Sequence, residues 1–294
     1  MNLRQLVGMN EPYFQFDREE RHLAAILFHL LNYKDNAEHA LHWAKPDWRI
    51  NPAEFGGYFD YSYPRDLWNK MGVKAECNNR KRDVITEMLG NHGFDTSRLA
   101  SLEPVKDFNA FFIETHRASR DFIQSPANWS LTQIAKSLPS PDSNSELVTA
   151  CKMKWAFKAK PDIVIHADLQ HALCIETKLE SGEGCYPAAA DEKKLLRERG
   201  LFGQKKKGFE LPMSQTDLQK FLMEDLLGLD CRFTLVTPRA TSGKRRTTSG
   251  KGCVSWSDFL SLLEPLPAPL PYIAAALNVV RVNPENMTSP SENK

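Results

Sequence analysis

Two short apolar runs constrain this chain more than any other feature: Ile163-Val164-Ile165 and Leu173-Cys174-Ile175, parted by a stretch from His166 to Ala172. Neither run alternates with polar residues, so each reads as a strand buried on both faces. Their separation suits a hairpin. With the tip near Leu169, the register sets Asp162 opposite Glu176. Directly opposed residues on an antiparallel pair have Cβ atoms about 5 Å apart. Lys178 follows Glu176 by two residues and therefore projects from the same face.

Two carboxylates side by side on a buried hairpin repel one another. A bound divalent cation removes that cost. Hard oxygen ligands suit Mg²⁺, with Mn²⁺ as a substitute, held through one or two carboxylates plus a substrate phosphate. A lysine beside the ion can hold or deprotonate an attacking water and offset charge on the phosphate. The expected chemistry is metal-assisted phosphodiester hydrolysis. The competing reading, an ion-pair ladder on an exposed strand face, asks for alternating strands, which Ile163–Ile165 does not supply.

The pattern Pro161-Asp162 followed by Glu176-Thr177-Lys178 resembles the PD-(D/E)XK nuclease superfamily, over a stretch from residue 144 to residue 263. The resemblance implies an α/β fold with a restriction-endonuclease-like mixed sheet flanked by helices. It implies metal ligation by Asp162, Glu176 and the Thr177 carbonyl, with Lys178 as the catalytic lysine. Members often carry an acidic residue on a helix before the core strands, a place that Glu146 fits. Many also carry a glutamine on the following helix in a Q-x-x-x-Y pattern. Gln215 fits its first position, but Gln219 stands where the aromatic residue belongs and Lys220 follows it. Restriction or anti-phage defence is the setting that the resemblance suggests.

The first part of the chain, residues 1–138, is expected to be a mostly helical N-terminal domain for substrate choice or assembly. Leu23, Ile26, Leu27, Leu30 and Leu31 recur at helical spacing, and Asp17 with Glu20 forms a capping-box pattern. Further helices are expected over 36–43, 82–89 and 107–120. The run Phe55–Tyr63 reads as a hydrophobic joint between helices, with base stacking as the alternative. Pro139–Ser145 is the linker candidate. The nuclease-like domain is then expected over 139–264. It comprises a helix at 145–153, a strand at Trp155–Lys158, the hairpin, a helix at Gln215–Leu227, a strand at Arg232–Thr237, and a strand end and helix over Val254–Leu263. A proline-rich tail occupies 265–294.

The formal net charge is only +1, so local charge carries the argument about partners. Lys205, Lys206 and Lys207 form one basic cluster, and Lys244, Arg245 and Arg246 another, both flanking the motif. They are the candidate contacts to nucleic acid, double-stranded DNA in first place. Two-strand cutting would favour a homodimer or higher homo-oligomer. No run approaches the roughly 18 apolar residues of a membrane span, and no membrane partner is expected. The six cysteines form no CxxC pair, so a reducing, cytoplasmic location is expected. Glu38-His39 and His42 lack a third ligand in context, and phosphate- or dinucleotide-binding glycine loops are absent. The functions left open are a DNA nuclease, an RNA-cleaving nuclease or toxin, and a non-cutting nucleic-acid-binding protein on the same fold.

Overall fold

A computed structural model describes residues 20–72, 75–102, 105–114, 121–179, 184–203, 211–238 and 252–265. The chain divides into two compact units, each built from separated stretches. One comprises Met1–Tyr61, Pro161–Glu183 and Gly228–Lys294; the other comprises Ser62–Lys160 and Gly184–Leu227.

The first unit begins with helix α1 (Glu20–Leu31), whose Leu23, Ile26, Leu27, Leu30 and Leu31 are all buried, as their spacing predicts. Helix α2 (Asn36–Ala44) follows. Asn36 ties the two ends of the unit together: its side chain donates to Leu30 O and Glu264 O and accepts from the Glu264 amide. The sheet contains β1 (Gly56–Phe59), β2 (Ile163–His166), β3 (His171–Thr177), β4 (Asp230–Thr237) and β5 (Gly252–Ser255), side by side in that order. The β1–β2 and β2–β3 pairs are antiparallel, and β3–β4 and β4–β5 are parallel. The sheet is therefore mixed, within an α/β architecture. Helix α3 (Trp256–Ser261) closes the unit, capped by Ser255 through the Asp258 amide.

The β2–β3 pairing sets Ile163 opposite Ile175 and Val164 opposite Cys174, which is the register expected from a tip at Leu169. Alternation then separates two faces. Ile163, Ile165, Leu173 and Ile175 join Leu23, Ile26, Leu27 and Leu30 of α1 and Trp256, Phe259 and Leu260 of α3 in one core. Each such side chain contributes about 1.5–3 kcal/mol by burial. The other face carries Asp162, Val164 and His166 on β2 and its approach, with Ala172, Cys174 and Glu176 on β3.

In the second unit, Ser140 caps a short 3-10 turn that runs straight into the helix Asn144–Ala156. The expected linker is thus an ordered helix start. That helix is buried along almost its whole length, and it includes Trp155, which was expected on a strand. Trp155 Nε1 and the Lys154 ammonium both donate to Glu192 within this unit. The helix Gln215–Lys220 starts from a capping box of Ser214 and Asp217 and continues as a π-helical turn, Phe221–Leu226.

The linear division expected at residues 138 and 264 is corrected by this arrangement. Residues 20–59 build α1, α2 and the edge strand of the sheet-bearing unit, and the second unit occupies the intervals between β1 and β2 and between β3 and β4. The helical pattern of the first part is real, but helices of one period can serve two different cores. Among the described residues, no helix is long and apolar enough to cross a membrane.

Candidate active site

The motif residues sit where β2 begins and β3 ends. Asp162 precedes β2, directly before the pair Ile163–Ile175, so the antiparallel register continues to Asp162 opposite Glu176. Thr177 fixes the Asp162 carboxylate from across the pair: its amide and its hydroxyl both donate to Oδ2, each at 2.8 Å. The contacts shown for Thr177 are thus to the carboxylate, through its amide and hydroxyl, whereas the resemblance implies a role for its carbonyl. Asp162 C=O in turn accepts from the Asp60 amide at 3.0 Å. Burial pushes the Asp162 carboxyl above the usual carboxylate range, Glu20 adds to the push, and the Thr177 hydrogen bonds and the Lys178 charge only partly oppose it.

Lys178 is held at its backbone on both sides. Its amide donates to Val236 O at 2.8 Å, and its carbonyl accepts from Trp256 Nε1 at 3.1 Å. Its ammonium lies 2.9 Å from Glu176 Oε1 and 3.6 Å from Glu20 Oε2. Burial alone would lower the affinity of this ammonium for its proton. Glu176, Glu20 and Asp162 more than offset that, so the Lys178 pKa stands above the ordinary lysine value. Lys178 is a fixed cation here, which favours holding charge over deprotonating water.

Glu20 is the residue that sequence reasoning did not place. It opens α1, where a carboxylate also gains from the helix dipole. Its Oε1 accepts from the Leu179 amide at 3.2 Å while Oε2 faces Lys178. The capping-box pattern with Asp17 was its only signal in the sequence, and Asp17 lies outside the described residues.

Glu146 and Gln215 belong to the second unit, and their described contacts lie within it. Glu146 is buried, 3.8 Å from Arg98 Nε, and burial raises its pKa. The Gln215 amide donates to Gly184 O at 2.7 Å. Glu20, within the unit that carries the motif, faces Lys178 directly. Gln219 is buried, and Lys220 pairs with Glu224 at 3.5 Å. Lys205, Lys206, Lys207, Lys244, Arg245 and Arg246 lie outside the described residues.

Two carboxylates, Glu176 and Glu20, thus lie beside one ammonium, and the Asp162 carboxylate is near enough to act on it electrostatically. Among the described residues, no group of three or more histidine, cysteine or acidic side chains is arranged as a ready metal cage. No protein-family model, curated protein or solved structure matches this chain.

Proposed function

We propose that the chain is a metal-dependent nuclease that hydrolyses phosphodiester bonds, those of DNA first, in a restriction or anti-phage setting. The observation that carries this reading is the Asp162–Glu176–Lys178 constellation, set on one face of a buried hairpin and pinned by Thr177, Val236 and Trp256. A mixed sheet flanked by helices is compatible with a restriction-endonuclease-like fold.

The donor set fits Mg²⁺. Asp162 and Glu176 offer hard oxygens, and this ion binds through one or two carboxylates with water and phosphate completing its shell, so a full protein cage is not required. Taken by themselves, ionised Glu20, Asp162 and Glu176 and the Lys178 ammonium sum to two negative charges, a balance that favours a divalent ion nearby. Asp162 and Glu176 would hold it, with Glu20 next in reach. Bound there, it would polarise a phosphoryl oxygen and acidify a bound water. Thr177 keeps the Asp162 carboxylate in one orientation. The Lys178 ammonium, already desolvated and directed by its neighbours, offsets charge on the phosphate.

Labelled duplex DNA, single-stranded DNA and RNA incubated with the protein in Mg²⁺ or EDTA test this reading. DNA should be cut in Mg²⁺, spared in EDTA, and spared by Asp162→Asn, which keeps an acceptor for Thr177 but loses the charge. Cutting that survives EDTA or Asp162→Asn, or no cutting of any polymer, would overturn it.

A further inference from the structure

The catalytic face of the sheet does not end at β2. In the β1–β2 register Tyr58 lies opposite Val164 and Gly56 opposite His166, so Gly56 and Tyr58 share the face that carries Asp162. The opposite face is independently marked: a side chain at Gly57 would meet Phe28 at 3.2 Å, and Phe59 stacks on Phe28 at 5.7 Å. The catalytic face is closed over Val164 and Cys174, 1% and 2% exposed, but opens at Tyr58, which is 40% exposed.

Tyr58 is held in place by other rings. Tyr61 lies 4.9 Å away at 36°, and His166 meets it edge-on at 5.5 Å and 84°. Asp60 makes the reversal between the two tyrosines with a positive φ of 47°, and its amide is bonded to Asp162 C=O. Beside this cluster there is room among the described residues: a Cβ at Gly56 would meet nothing within 4 Å. Diagonal neighbours on a sheet face are about 7–8 Å apart, so Tyr58 stands next to Asp162, about two B-form steps of 3.4 Å along a strand.

We propose that Gly56, Tyr58 and His166 form a slot in which one unpaired nucleobase of the cleaved strand stacks on Tyr58. The proposal rests on the nuclease reading and sharpens it: the substrate is single-stranded or locally melted next to the cut. A Watson–Crick base pair buries its faces against its neighbours, whereas an unpaired base offers one to an aromatic ring, and every base has such a face.

Binding is measured by fluorescence anisotropy with the full chain in Ca²⁺, whose larger, more flexible shell positions water less well. The probes are a single-stranded DNA, an RNA of the same sequence, and a blunt duplex. Tyr58→Ala should weaken single-strand binding by about 5- to 150-fold, while Tyr58→Phe keeps it and duplex binding is unchanged. Gly56→Leu, whose Cβ would meet nothing within 4 Å, should obstruct the slot and weaken it comparably, with the melting temperature recorded alongside. A loss on DNA alone or on RNA alone names the polymer that supplies the base. Parental single-strand binding by Tyr58→Ala or by Gly56→Leu, or equal losses on single strand and duplex, would overturn the slot and leave the nuclease reading standing. A parent protein that binds none of the three probes would overturn both.

Discussion

Replacing Lys178 with methionine keeps the apolar stem of the side chain and removes its charge. In the parent, the side chains of Lys178, Glu176 and Glu20 are 12%, 4% and 27% exposed. Breaking one side of a buried ion pair costs about 3–5 kcal/mol, because the other charge stays buried. Glu20 is partly open to water and its share is screened, which argues for the low end, about 3 kcal/mol. At about 2–4 °C per kcal/mol, the metal-free variant should melt about 6–12 °C below the parent. Magnesium at about 100 times its dissociation constant returns about 2.7 kcal/mol. On the proposed reading, ion and ammonium would share these carboxylates in the parent, and the variant would remove the ammonium's claim on them. The magnesium-induced gain in Tm should therefore be larger in Lys178→Met than in the parent. Cleavage should not recover, staying about 100- to 1,000-fold down, the usual cost of one preorganised charge-stabilising group. Thermal unfolding in EDTA and in Mg²⁺, beside a cleavage assay, reads all three quantities. A variant that melts like the parent in EDTA, gains less from magnesium, or cuts at the parental rate would refute the reasoning.

Glu20→Gln keeps an acceptor for the Leu179 amide, so its fold should hold to within about 1 kcal/mol while its magnesium-induced Tm gain shrinks; an undiminished gain would remove Glu20 from the site. Gly57→Ala should melt below Gly56→Ala, by up to about 1 kcal/mol, because its Cβ would stand 3.2 Å from the Phe28 ring whereas a Cβ at Gly56 meets nothing within 4 Å; equal melting temperatures would contradict the assignment of faces. His92 is held below the ordinary imidazole value of 6.5 mainly by burial, with Lys152 adding to it and Asp225 opposing. Since the unfolded state then binds the extra proton first, the stability that His92 supports is present above pH 6.5 and lost as pH falls through the lower folded value. His92→Phe keeps a ring against Phe221 and should flatten that loss, read as the Tm difference between the two proteins across pH.

The hairpin was legible because its information is local. Apolar runs, tip and charged ends all fall within Asp162–Lys178, and a shift of one residue would turn Ile163 and Ile175 away from the core. The edge strand β1 was not legible. Gly56 and Gly57 carry no hydropathy signal, and only pairing with β2 makes them a strand. Glu20 reaches Leu179 across 159 positions of sequence, a contact that no spacing rule encodes. Trp155 shows the opposite failure: an aromatic residue near Phe157 favours a strand on local grounds, yet a helix from Asn144 carries it into contact with Glu192. The division at 138 failed because apolar period identifies a helix and not the core it joins.

The interruption of the sheet by a second compact unit has a kinetic consequence. Phe59 and Ile163 pair across roughly a hundred residues, whereas His166 and Ala172 close a short hairpin. Loop entropy rises by about 0.6 kcal/mol per doubling, so joining β1 costs about 2.5–3 kcal/mol more than closing the hairpin, unless the intervening chain has already condensed. During synthesis β1 emerges long before its partner and must wait. A four-residue strand that starts with two glycines is a poor template for mispairing during that wait. The hairpin should therefore nucleate the sheet, with β1 docking last and only after Ser62–Lys160 has compacted. Tyr58 and Asp60 then reach the face that carries Asp162 at the end of folding, which ties the completion of the proposed site to the maturity of the whole chain.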